Sequence, residues 1–249
     1  MIGLPGAAIG GLHSYGKQRR PCRPDSGPTD RSDSGSGRLV AMSSGLVAEV
    51  RLACRERLAK AGFQPRSGDI FTRPIANDLL WWLGLNRAVG QGRGAVEVNP
   101  VVGVRHQVLE TSVAELLRVK PHSYIPPTLS ISLGYLMPNP TYRPWIFDRE
   151  VPVAAVADSL VEAVVTYGSV YAEMHGSLVE IIESMVRGEG IRELTAYRLP
   201  VGYLLSGRPK FATASLNKAE TEIGAREDPA AQQFRGFAAE FRKRLEISR

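Results

Sequence analysis

Cysteine is almost missing from this chain: Cys22 and Cys54 are the only two in 249 residues. One lies in a polar stretch and the other in a helical pattern, which excludes a disulfide framework and suits a reducing compartment. Long apolar runs are missing as well. No uninterrupted stretch approaches the roughly 20 residues that span a bilayer, so no membrane association is expected. The opening segment, residues 1 to 12, is apolar, but no basic segment precedes its apolar part, and Pro5 and several glycines break it. It does not read as a secretory signal. A cytoplasmic setting is the expectation.

Signatures of catalysis are absent too. There is no Gly-x-Ser-x-Gly elbow, no phosphate loop ending in Gly-Lys-Ser/Thr, and no Cys and His pair in a plausible context. The histidines His13, His106, His122 and His175 are scattered, and Glu173 stands two residues before His175, a spacing that points two helical side chains in different directions. No metal and no cofactor are expected. His175 reads as a helix C-terminal residue complementing the dipole, and His122 as a loop residue. The carboxylates Glu97, Glu110, Asp148 and Glu150 read as solvated surface. Cys54, on an apolar helical stripe, reads as a buried inert thiol.

Charge is not strongly one-sided. The net charge is +6, and residues 1 to 41 hold six cations against three acidic groups, so half of the excess sits in that segment. The body leaves a weak footprint for nucleic acid. Between Gly16 and Gly37 apolar residues nearly vanish, and the composition predicts a disordered tail over 1–41. Met42 is a candidate physiological start.

The organising stretch is Asp78-Leu-Leu-Trp-Trp-Leu-Gly-Leu-Asn86. Alternation places Leu79, Trp81, Leu83 and Leu85 on one face and Leu80, Trp82 and Gly84 on the other, as in a central strand. Before it, Leu46, Val50, Ala53, Cys54, Leu58 and Ala61 recur at helical spacing, stopped by Gly62, and Phe63 to Arg73 reads as a hairpin turning at Ser67-Gly68-Asp69. After it, Gly90-Gln-Gly-Arg-Gly94 reads as a hairpin loop, since no helix follows to cradle a phosphate. Val96, Val98, Val102 and Val104 share one strand face, with Pro100 implying a bulge or an edge. Ser112-Val-Ala-Glu115 fits a capping box, and Leu129 to Tyr135 alternates as a half-buried strand. A short strand at Trp145 to Asp148 precedes the helical remainder, which begins with a stripe broken at Tyr167-Gly168-Ser169. Ser177 then opens a helix that stops at Gly188, Gly207-Arg-Pro209 turns a helical hairpin, and Asp228-Pro229 starts a last helix with Phe234, Phe237, Ala238, Phe241 and Leu245 inward.

Ala61-Gly-Phe63, Phe71-Thr-Arg73, the aromatic strand, Tyr167-Gly168 and Leu204-Leu-Ser-Gly-Arg208 together resemble bacterial α+β domains of unknown function, some of them immunity proteins encoded beside polymorphic toxins. The resemblance implies action by binding and carries no catalytic residues. The Leu204 to Ala219 hairpin also resembles a single tetratricopeptide unit, without a second copy.

These readings predict an α+β fold: an N-terminal helix, an antiparallel sheet of about four to five strands within 42–150, and a helical part over 151–249 sharing its core. They predict a binding protein acting through a protein partner. Trp82 and Trp145 belong either to the core or to the partner surface, and Arg87 stands beside them as a third partner-binding candidate. The alternatives are a nucleic-acid-associated protein using the tail and the basic last helix around Arg242-Lys-Arg244, and an enzyme whose site is assembled from distant residues.

Overall fold

The computed structural model describes residues 34–89 and 94–247, with side chains from 45 onward. Helix α1 (Ser34–Lys60) starts well before the first expected apolar position. No proline lies between Pro28 and Pro65 to break the helix as it runs back past Leu46. Its far end stops where expected. Gly62, at φ 86°, takes a left-handed conformation that a side chain would strain, and this lets Phe63 N–H reach Leu58 O at 2.9 Å.

A sheet of six strands follows: β1 (Gln64–Pro65), β2 (Ile70–Ala76), β3 (Leu79–Val89), β4 (Val96–His106), then α2 (Gln107–Leu116), β5 (Leu129–Ser132) and β6 (Trp145–Phe147). All pairs are antiparallel, in the order β1-β2-β3-β4-β5, with β6 beside β5 on the same side of β4. The tryptophan strand is central, as its two-sided apolar pattern implies. Pro100 is neither at a bulge nor on an edge. It pairs with Leu85 on one side, while β6 takes Val96 to Val98 and β5 takes Val101 to Val104 on the other. Asn99 and Pro100 thus fall in the gap between two partners, where a missing N–H breaks no ladder. Residues 90–93, in the expected hairpin loop, and the segment before Ser34 lie outside the described residues.

The helical part contains α3 (Val153–Ala163), α4 (Ser169–Met174), α5 (Leu178–Val186), α6 (Arg192–Leu205), α7 (Pro209–Ile223) and α8 (Pro229–Ile247). The stripe expected to break at Tyr167 to Ser169 does not break. A π-turn over Val164–Gly168 joins α3 to α4 without leaving the helical path. By length and composition the joined helix, Val153–Met174, is apolar enough to cross a membrane, a candidate that a search for uninterrupted runs misses because Asp158, Glu162 and Glu173 divide it. Its buried side includes Val153, Ala157, Leu160, Val164 and Tyr171. At Gly168 it meets the sheet: a β-carbon there would lie 3.1 Å from Trp81 Cζ2 and 3.2 Å from Val102 Cγ1. That contact identifies the face of Trp81, Leu83, Val102 and Val104 as helix-covered.

Ser177 caps α5, accepting from Glu180 N–H at 3.3 Å, and Asp228 Oδ1 accepts from Ala230 N–H at the start of α8. The Ser112 capping box does not form. Ser112 is buried inside α2, whose cap is His106, with Nδ1 accepting from Leu109 N–H at 3.2 Å. β5 also ends early, since Leu133–Tyr135 turns as a 3-10 helix and leaves Tyr135 exposed. One apolar core runs from Leu46 of α1 through the sheet to Leu245 of α8.

Candidate functional site

The three partner-binding candidates do not make a surface. Trp82 is only 8% exposed, its indole folded across Gly84, where a β-carbon would lie 2.5 Å from Trp82 Cη2. Its Nε1, like that of Trp81, is buried without a hydrogen-bond partner, so packing holds the ring and a polar contact does not. Trp145 is buried on the other face, with Nε1 donating to Ser159 Oγ at 3.4 Å. Arg87 shares the row of Val98 and Trp145, and its Nε donates to Asp69 Oδ2 at 2.9 Å. Asp69 also accepts from Arg51 of α1 at 2.9 Å, so Arg87 ties the hairpin to the helix.

A buried charged cluster lies at the opposite end of the sheet. Glu110, expected at the solvated surface, is buried, as are Arg105, Thr128 and Arg198. Arg105 stands at the end of β4, Glu110 in the first turn of α2, and Arg198 in the middle of α6. Arg198 Nε lies 2.8 Å from Glu110 Oε1, and its Nη2 donates to Glu110 Oε2 at 3.1 Å and to Pro127 O at 2.9 Å. Its Nη1 donates to Thr128 O at 2.9 Å, and Thr128 Oγ1 donates to Glu110 Oε1 at 2.8 Å. Arg105 donates to the carbonyls of Pro126 and His122 and to Gln107 Oε1. Burial holds its guanidinium below the ordinary value, with Glu110 opposing and Arg198 reinforcing that shift. Two arginines thus clamp the segment between α2 and β5. The only sequence trace of this is Arg198 placed four residues after Leu194 and three before Val201, on an inward stripe.

His106, His122 and His175 make structural hydrogen bonds. His122 Nδ1 accepts from Tyr124 N–H at 3.2 Å, inside the clamped segment. His175 ends α4 as expected but is buried: its Nδ1 donates to Tyr171 O at 2.7 Å, with Nε2 3.3 Å from Glu189 Oε2. Among the described residues no group of three or more His, Cys, Asp or Glu is placed to hold a metal.

Two concavities flank α6. One, of about 360 Å³, opens between α2, α6 and the clamped segment, with Arg105, Glu110 and Arg198 in its wall. The other, of about 570 Å³, is a groove along α5, α6 and α7. Met185, Ala196, Leu199, Tyr203 and Ala219 line it, and Val186 and Phe211 stand at it with 59% of their surface exposed. Arg192 and Glu222 pair across it at 3.2 Å. Lys218 also lines it and makes no ion pair among the described residues.

The outer side of α8 is basic, and its cations have partners. Arg242 pairs with Glu220, Lys243 with Glu240, and Arg244 with Glu115, while Arg235 donates to Gly224 O at 3.0 Å. Arg242 and Arg244 thus reach α7 and α2, whereas Lys243 pairs within α8 itself. Comparison with known proteins finds no matching family model, no matching curated protein and no matching solved structure.

Proposed function

We propose that the protein acts by binding a protein partner in the cytoplasm, and that the groove along α5, α6 and α7 takes an amphipathic helix of that partner. The observation that supports this reading is the exposure of Phe211 and Val186 beside a continuous apolar floor. Single exposed apolar side chains are ordinary, whereas a contiguous lined trough is a recurrent seat for a helix with apolar positions on one face. Lys218, which makes no ion pair among the described residues, favours an acidic residue flanking that face. The likeness to immunity-type domains, which act by binding, points the same way. A photo-crosslinking residue placed at Phe211 in cells of the native host tests it. A discrete protein adduct is expected, lost when the exposed groove residue Ala214 is changed to Glu. An adduct pattern equal to that from a control at Ala154, exposed on α3 away from the groove, would sink the reading.

A further inference from the structure

We infer that the smaller concavity, between α2, α6 and the clamped segment, is a binding site for a small monocarboxylate with an apolar body. The first support is charge. Arg105 and Arg198 are both buried, at 1% and 2% exposure, and Glu110 is the sole carboxylate among the residues lining the cleft. Two cations and one anion leave a single positive charge in a place with little water, where an uncompensated ion is costly. Carbonyl dipoles from the clamped segment offset part of that cost, and a bound monoanion would offset the remainder.

The second support is the count of donors. A guanidinium has five N–H groups. Arg105 spends one on each nitrogen, and its Nη1 also lies 3.8 Å from Glu110 Oε2, so its Nη2 keeps a second N–H without an acceptor among the described residues. Arg198 leaves one more on Nη1. Spare donors of two buried guanidiniums in one cleft wall match the two oxygens of a carboxylate.

The third support is shape and lining. The cleft is near the lower limit for ligand pockets. Val113, Leu117, Ile125 and Tyr197 give it apolar walls, and the exposed Lys120 adds positive charge at its edge, where it would steer an anion inward. A phosphate would desolvate its remaining oxygens against those walls, while a hydrocarbon or aromatic body is favoured there.

The experiment is a titration of the full chain with sodium benzoate and sodium hexanoate, followed by amide NMR shifts and by thermal melting. Saturable shifts confined to α2, α6 and residues 118–128 are expected, together with a rise in melting temperature that grows with ligand concentration. Benzamide, which keeps the ring and loses the charge, should bind at least about tenfold more weakly, the usual scale for a charge-assisted hydrogen bond. Because Arg105 and Arg198 variants would disturb folding, the discriminating variant is Val119→Trp. It fills the cleft from an exposed position and should abolish binding without changing the melting temperature of the free chain. Equal binding of benzamide, tighter binding of inorganic phosphate, or no saturable shift with either carboxylate would each overturn the assignment; the last would make the arginine pair a structural clamp alone.

Discussion

Arg198 on α6 and Glu110 on α2 meet at 2.8 Å although 88 residues separate them, and both side chains are almost wholly buried. The pair joins the helical part to α2, the helix that follows β4. Breaking it on one side leaves an ion without its partner. Glu110→Gln is expected to cost about 3–5 kcal/mol in equilibrium denaturation, and Glu110→Gln with Arg198→Met less than the sum of the two single changes. Additive single losses would show that the two side chains are not coupled.

Gly168 decides how closely the joined α3–α4 helix approaches the sheet. For Gly168→Ala the gain in helix propensity, about 1 kcal/mol, opposes a contact with Trp81 and Val102 that is tight by a few tenths of an ångström. The net change should be small. For Gly168→Leu the clash wins, with a loss of about 1–3 kcal/mol from overpacking. Thermal unfolding of both variants checks the order, and a Leu variant as stable as the parent would mean that the helix stands off the strand.

How much of this was legible in the sequence follows from how local each signal is. The parity of Val96, Val98, Val102 and Val104 is a two-residue pattern, and all four are fully buried as it implies. Ser177 and Asp228 cap their helices because an N-cap acts over three residues. Ser112 failed as a cap because His106, six residues earlier, already starts the helix and buries Ser112 within it. Pro100 misled because its tolerance depends on where β6 ends and β5 begins, which no local window contains. The Arg105, Glu110 and Arg198 cluster was the least legible. Each residue alone looks like ordinary surface charge, and only the packing of α6 against α2 brings them together.

His106 makes stability depend on pH in a defined direction. Burial lowers its pKa below the ordinary 6.5, against the opposing pull of Asp78 and Glu110, and its Nδ1 must stay unprotonated to accept from Leu109 N–H. The unfolded chain therefore takes up the proton first. The stabilising contribution is complete above about pH 6.5 and is lost as pH falls through the lower folded value. His106→Asn keeps a capping acceptor without a titrating ring, so the variant should lose less stability than the parent as pH falls below about 6.5. Identical pH profiles in urea denaturation would rule out the His106 contribution.

Cys54 reports on the seam between α1 and the sheet. Burial pushes its thiol up to about 11, against the lowering effect of Arg57 and Arg87, so almost none of it is thiolate at pH 8. The side chain is 1% exposed, which closes it to reagent as well. In a Cys22→Ser chain, the native protein should therefore resist a disulfide-exchange reagent at pH 8 and release one equivalent once denaturant is added. Because Arg51 and Arg87 converge on Asp69 beside this helix, Asp69→Asn should loosen the seam and speed native-state labelling of Cys54. Labelling that is fast in the parent chain would show that α1 leaves the sheet on its own, ahead of global unfolding.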